Sequence, residues 1–416
     1  MKKFNIRLFV ICLALLSLAA CRKEEFQPEV EGIQIPHEDL TTTWSEALEA
    51  SPYTLFKAAW KRSDMNSIIE KRGVQAPLTL LIPTDAAFLA DGLTLDVINT
   101  TSPDLLDSLL LYHVISQDIE PRALSQRTEN LVGITMLENT YLRLPGFENQ
   151  YQTDPYLYRH YLGMSGNDLL INGKKADAQT PTVTKNGTIW PIGHLLKKPT
   201  KTMMQVLEED GRFSMYVGIM TLTDQLWTDA SYDFYPRSSP FKPGLIVDPI
   251  GWGPNIIFRS IFAPTDEAFH EAGFHSVDDL MALNNRVPLP YLNEETFEMV
   301  GTGYVTDTLL TMHRWGKLFK QADGWGYGTE TPDIFYSNDL NNTLLTDYPL
   351  TTKGYTGSLP IVYAQFDFSK NAEGKVTMKV KGSAAPAATV IEGDINTLMG
   401  PIHVVNRLMP PKEFKY

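Results

Sequence analysis

Hydrophobic residues gather along this chain in short runs that break at prolines. Leu80-Leu81-Ile82 stops at Pro83 and leads into Thr84-Asp85-Ala86-Ala87-Phe88. Ile261-Phe262-Ala263 stops at Pro264 and leads into Thr265-Asp266-Glu267-Ala268-Phe269. A short apolar run bounded this way predicts a buried strand, and proline ends it because it has no N–H for a ladder. Thr84 and Thr265 then stand as helix N-caps, with Asp85 and Asp266 in a first turn where the helix dipole favours negative charge. Phe88 turns its ring back onto the strand. Amphipathic spacing predicts helices ahead of each junction, at 43–48 and 51–71 before the first and at 202–210 and 213–223 before the second.

This junction is the first of three patterns that recur in the same order. Leu109-Leu110-Leu111-Tyr112-His113 matches Leu309-Leu310-Thr311-Met312-His313. Asn186-Gly187-Thr188-Ile189-Trp190-Pro191-Ile192 matches Met399-Gly400-Pro401-Ile402-His403-Val404-Val405. The offsets grow from 181 (Thr84 to Thr265) through 200 (His113 to His313) to 213 (Gly187 to Gly400). One plan is therefore written twice, with insertions in the second copy.

Pro-Thr-Asp-x-Ala-Phe, a Leu-rich Tyr-His helix and a closing Gly-x-Ile-His-Val-Val strand ending in Pro-Pro resemble the fasciclin domain family. The resemblance covers nearly all of the mature chain, and Gly400–Pro411 and Glu392-Gly393-Asp394-Ile395 carry it most closely. It implies an α+β fold of two tandem fasciclin-like domains, 41–199 and 200–412, each a β-sandwich or barrel wedge with packed helices. It also implies structural roles for the motif residues Thr84, Asp85, His113, Thr265, Asp266, His313, Asp394 and His403. The chain departs from the family at Trp190, where a His is expected, and at Met312, where a Tyr is expected. Both departures suit packing better than a shared reactive site. Asp394-Ile395 is similar to the segment implicated in integrin contact in animal fasciclin proteins; read locally, Asp394 is a turn aspartate entering a strand. The junction Lys197-Lys198-Pro199-Thr200 is short, so the two domains are expected to hold a restricted orientation.

Met1-Lys2-Lys3 and Arg7 precede an apolar run from Leu8 to Ala20, which is thirteen residues. That is well short of the ~20 a spanning helix needs, and it has the pattern of a cleaved export signal over 1–20. Leu18-Ala19-Ala20-Cys21 resembles a bacterial lipobox, in which Cys21 is lipidated and heads a tether over 21–40. Lys23-Glu24-Glu25 resembles the export tag of Bacteroidetes surface lipoproteins. The expected location is the outer membrane, lipid-anchored and facing the exterior.

Cleavage after Ala20 removes Cys12, leaving Cys21 as the one cysteine of the mature chain. Thiol catalysis, iron–sulfur clusters and cysteine zinc sites are excluded. The same cleavage removes Lys2, Lys3 and Arg7 and takes the net charge from −13 to −16, which argues against nucleic-acid partners. His270-Glu271-Ala272-Gly273-Phe274-His275 nearly matches a zinc-protease motif. Its spacing of five, projected on one helix, sets the two rings on different faces. No metal or cofactor is expected, and His113 and His313 read as core histidines.

The candidate ligand surface lies in three aromatic-rich insertions read as loops: Tyr151–Tyr161, Trp227–Trp252 and Trp315–Tyr363. Tyr156, Tyr158, Trp227, Tyr235, Trp252, Trp325, Tyr327 and Tyr336 are the candidate contacts. Aromatic rings beside amides and carboxylates suit sugar faces or protein interfaces. The expected function is a non-enzymatic surface lipoprotein that binds a glycan or an outer-membrane partner, as an accessory of a TonB-dependent uptake complex. The alternatives are a cell–cell or cell–matrix adhesin and, less favoured, a hydrolase with its site in an insertion.

Overall fold

Both proline-terminated runs form strands in the computed structural model. It describes residues 40–72, 77–145, 153–230, 246–247, 254–256, 258–296, 298–301, 304–315, 334–346, 349–351, 362–363, 365–412 and 414. The signal segment, Cys21 and the tether up to residue 39 lie outside the described residues.

In the first half three helices come first: α1 (Trp44–Ala50), α2 (Thr54–Arg62) and α3 (Met65–Arg72). Thr43 and Glu46 close α1 with a capping box, which satisfies two N-terminal amides. The single helix expected over 51–71 is two, because Ser63 ends the first: its hydroxyl bonds the carbonyl of Trp60, and its oxygen receives Met65 N–H. Then follow β1 (Leu78–Pro83), α4 (Asp85–Ala90), α5 (Leu95–Thr100), α6 (Pro103–His113), β2 (Val114–Ile115) and α7 (Pro121–Ser125). The half closes with β3 (Leu131–Pro145), β4 (Thr153–Ser165), β5 (Asp168–Ile171), β6 (Lys174–Lys175), β7 (Thr182–Thr184) and β8 (Gly187–Ile192).

The second half repeats the plan. Its elements are α8 (Met203–Glu209), α9 (Ser214–Ala230), β9 (Ile246–Val247), β10 (Pro254–Asn255), β11 (Ser260–Pro264), α10 (Asp266–Glu271), α11 (Val277–Ala282), β12 (Tyr291–Asn293), β13 (Glu298–Val300), α12 (Val305–Leu310) and β14 (Arg314–Trp315). After them come α13 (Asn342–Leu345), β15 (Pro349–Thr351), β16 (Val362–Tyr363), β17 (Phe366–Lys370), β18 (Val376–Val380), β19 (Ala388–Thr397) and β20 (Gly400–Val405).

Each half is built round one parallel pair, formed by its first motif strand and its closing strand. β1 pairs with β8 from Leu78↔Gly187 to Pro83↔Ile192, and β11 pairs with β20 from Ile261↔Ile402 to Pro264↔Val405. On the far side of the first strand lies a short antiparallel one, β2 beside β1 and β14 beside β11. On the far side of the closing strand lies its hairpin partner, β7 or β19. The closing glycines are structural necessities. Gly187 (φ 153°) and Gly400 (φ 125°) press on the carbonyls of Leu78 and Arg259, where an added Cβ would sit 2.1 and 2.3 Å from oxygen.

Burial on both faces explains the unbroken apolar runs. Leu80 and Ile82 face a core with the helices, containing Trp44, Phe56, Trp60 and Phe88, whereas Leu81 faces a second core with Ile115, Leu162, Trp190 and Ile192. Phe262 plays the part of Leu81, in a core with Trp315, Phe366 and Met378. A further core takes residues from both halves, among them Tyr112, Tyr156, Tyr161, Phe258, Tyr336 and Leu398. The halves are thus packed together over residues 41–416, which form one compact unit.

The long hairpin β3–β4 makes this junction. Tyr156 stacks on Phe258 at 5.8 Å and donates its hydroxyl to the Leu398 carbonyl at 2.7 Å, and Arg159 lies 4.0 Å over the Phe258 ring. Asn255 of β10 pairs with Arg143 of β3.

Candidate functional site

The motif residues of the two halves do the same work twice. Thr84 and Thr265 each accept from the backbone N–H three residues on, as N-caps. Asp85 and Asp266 reach beyond their own helices. Asp85 accepts from Thr54 N (3.1 Å), Thr54 Oγ1 (2.5 Å) and Leu55 N (3.0 Å) at the start of α2. Asp266 accepts from Met215 N (2.8 Å) and the Ser214 hydroxyl at the start of α9. Each carboxylate therefore joins the N-termini of two helices, where partial positive charge favours it.

The two histidines of the second motif are fully buried staples. His113 Nδ1–H donates to Leu109 O (2.8 Å), and its Nε2 accepts from Leu196 N (3.1 Å). His313 Nδ1–H donates to Phe262 O (2.8 Å), and its Nε2 accepts from Met409 N (2.8 Å). A backbone N–H facing Nε2 requires that nitrogen to be bare, which sets the tautomer. Burial pushes both imidazoles down to about 4, so they are neutral at pH 7.

Trp190 and His403 occupy matching positions and make the same bond. The Trp190 indole N–H donates to Ile119 O at 2.9 Å, and His403 Nε2–H donates to Phe335 O at 2.8 Å. What the position requires is a ring N–H donor, which either residue supplies.

The aromatic candidates divide in two. Tyr156, Tyr158 and Tyr336 are buried, at 2%, 5% and 1% exposure, so they offer no ring face to a ligand. This corrects the reading of Tyr151–Tyr161 as a ligand loop. Its described part is strand β4, and Tyr158 and His160 pack on Tyr112 at 5.7 and 4.5 Å. Trp227 belongs to α9, and its side chain lies outside the described residues, as do Tyr235, Trp252, Trp325 and Tyr327.

The insertion Trp315–Tyr363 is anchored in its middle by residues 334–345. Ile334, Phe335, Tyr336, Leu340 and Leu345 are buried, and Tyr336 donates its hydroxyl to Asn396 at 2.8 Å. Asp394 is no turn residue. It sits within β19 at a bulge, with φ 60°, and is buried. Its carboxylate accepts from Ser337 N (2.7 Å) and Ser337 Oγ (2.5 Å). From the other half Gly173 abuts it so closely that a Cβ there would lie 2.4 Å from the carboxyl carbon.

Asn130 and Asp339 complete this seam, and both were missed at the level of sequence. Asp339 accepts from Asn130 N (3.3 Å), Asn130 Nδ2 (2.6 Å) and Tyr336 N (3.0 Å). Asn130 and Asn338 exchange amide hydrogen bonds at 2.7 and 3.3 Å. Burial raises the Asp339 carboxyl to about 7, against the lowering effect of those N–H donors.

Ser337, Asp394 and His403 are the ingredients of a nucleophilic triad in the wrong order. Asp394 holds Ser337 directly, and His403 Nδ1 is 3.9 Å from Asp394 while its Nε2–H is committed to Phe335. A triad needs the imidazole between serine and carboxylate. The rings of His270 and His275 do approach, at 5.5 Å. The helix ends at Glu271, and the turn at Gly273 brings His275 back, so projection on a single helix does not describe the pair. Among the described residues no group of three or more His, Cys, Asp or Glu is placed to hold a metal. No helix among them is long and apolar enough to cross a membrane.

Residues 51–198 match the family model of the Fasciclin domain. No curated protein matches the chain. Among solved structures, one that matches is a FAS1 domain pair from the insect cell adhesion molecule fasciclin I. It is 13% identical, over 85% of this chain and 95% of its own, with a TM-score of 0.28. The family match lies within the first half, and the second half repeats that half's plan by strand pairing and motif placement.

Proposed function

We propose that this chain is a non-enzymatic, lipid-anchored protein of the outer-membrane surface, which holds a glycan or a partner outer-membrane protein. One observation supports it above the rest: the polar motif residues are committed to the fold in both halves. Asp85 and Asp266 join helix starts, His113 and His313 staple backbone, and Asp394 and His403 fix the anchor of an insertion. The two halves are bound through a shared core into one presenting body. Function then resides in what is grafted on that body, with Trp252 and Trp325 as the aromatic contacts to test. Leu18-Ala19-Ala20-Cys21 supplies the anchor, whose several acyl chains make attachment stable.

Partnership with a TonB-dependent transporter is the form of this reading that one experiment tests. Tagged protein is isolated from gently solubilised outer membranes, and its companions are identified. Stoichiometric recovery of a transporter supports the accessory role; recovery of the protein alone overturns it. The Fasciclin match favours a second reading, adhesion, because that family is linked to adhesion. Unchanged aggregation and attachment in a deletion strain would count against it.

A further inference from the structure

We propose that Asp339 and Asn130 form a pH-sensitive latch between the two halves, which holds the anchor segment 334–345 tightly in weak acid and loosens above neutral pH.

The geometry concentrates on one side chain. Asp339 belongs to the second half and is 2% exposed. Two of its three donors, the backbone N–H and side-chain amide of Asn130, come from the first half, and the third is Tyr336 N of its own turn. All three are neutral amides. The reciprocal amide pair of Asn130 and Asn338 lies alongside. The Asn130 contact is thus a polar bond made across the seam by the same short turn that places Tyr336 in the shared core.

Among the described residues, the charged and titratable groups facing this carboxyl come from three elements. From β19, Asp394 adds repulsion and favours the neutral acid. From β20, His403 stands behind Asp394, and burial lowers its pKa. From β4 comes Tyr161, whose phenol burial pushes up to about 12, so it stays uncharged through the pH range at issue. Arg159, which lowers that phenol, is the cation on the same strand, and its guanidinium is stacked on Phe258.

The sign follows from linkage. A solvated aspartate titrates near ~3.9, and the docked one near about 7. The docked state therefore binds the proton more tightly, and docking strengthens as pH falls through about 7 towards ~4. As pH rises the carboxyl ionises where burial penalises charge. Across pH 6 to 8 the docking equilibrium should weaken about tenfold.

The test is hydrogen exchange on the full chain in detergent at pH 6 and pH 8, corrected for the intrinsic rate. The expected result is about tenfold weaker protection of amides in 334–345 at pH 8, with β1 and β11 unchanged. Asp339→Asn, which cannot ionise, should abolish this pH dependence. Asn130→Ala should lower protection of the segment at both pH values. Equal protection of the wild-type segment at both pH values overturns the latch. So does an Asp339→Asn variant that keeps the tenfold change, or a change shared equally by β1 and β11.

Discussion

Replacing Asp85 by alanine isolates a bond that links two helices through one carboxylate. The side chain accepts three hydrogen bonds of 2.5–3.1 Å from Thr54 and Leu55. Their loss strands two amides at the start of α2, the Leu55 amide in a partly buried place. Removal of a helix cap costs about 1 kcal/mol, and a charge-assisted bond is worth roughly 1.5–3 kcal/mol when buried. Asp85 is half-buried, so solvent screening reduces the ionic share. The expected destabilisation is about 2–3 kcal/mol for Asp85→Ala. Asp85→Asn keeps one acceptor and should lose about half as much. The assay is urea unfolding near pH 7.5, reading the midpoint at unchanged slope. Asp266→Ala should behave alike, since Asp266 serves Ser214 and Met215 in the same way. A loss below about 0.5 kcal/mol for both alanine variants would refute the bridging role.

Other outcomes follow from the same structure. His113, His160 and His313 titrate near about 4 in the fold. Unfolded histidine binds protons near ~6.5, so stability should fall as pH drops from 6.5 to 4, by roughly 2 kcal/mol per histidine at pH 5; urea midpoints that do not move between pH 7.5 and 5 would contradict this. Gly187→Ala and Gly400→Ala drive a Cβ to within 2.1 and 2.3 Å of a carbonyl oxygen and should each cost more than about 3 kcal/mol, with loss of soluble expression as the readout. Cys21→Ser should move the protein from the detergent phase to the aqueous phase on phase partition; retention in detergent would remove the anchor reading. Trp325→Ala and Trp252→Ala should weaken glycan binding with the fold intact, and two variants that bind like wild type would take those positions out of the ligand surface.

The junctions were legible in sequence because their chemistry is local: a proline stop, a threonine cap and a phenylalanine one turn on. The wider role of Asp85 and Asp266 was not, because their partners lie 31 and 51 residues away. Trp190 looked like a departure, and only its bond to Ile119 shows that it keeps the N–H donor of His403. The seam was missed for a similar reason: Asn130 and Asp339 are separated by 209 residues. One error had a visible remedy. Tyr156, Tyr158 and His160 alternate with period two, which is the signature of a strand with one covered face, and that face is covered.

The parallel pairing of β1 with β8, and of β11 with β20, also decides how this protein bears mechanical load. Tension applied between the two ends of the chain pulls parallel neighbours lengthwise past each other. The ladder from Leu78↔Gly187 to Pro83↔Ile192 must then shear as a block, instead of unzipping one rung at a time. A body strung this way resists stretching at each half in turn, because each half closes on its own parallel pair.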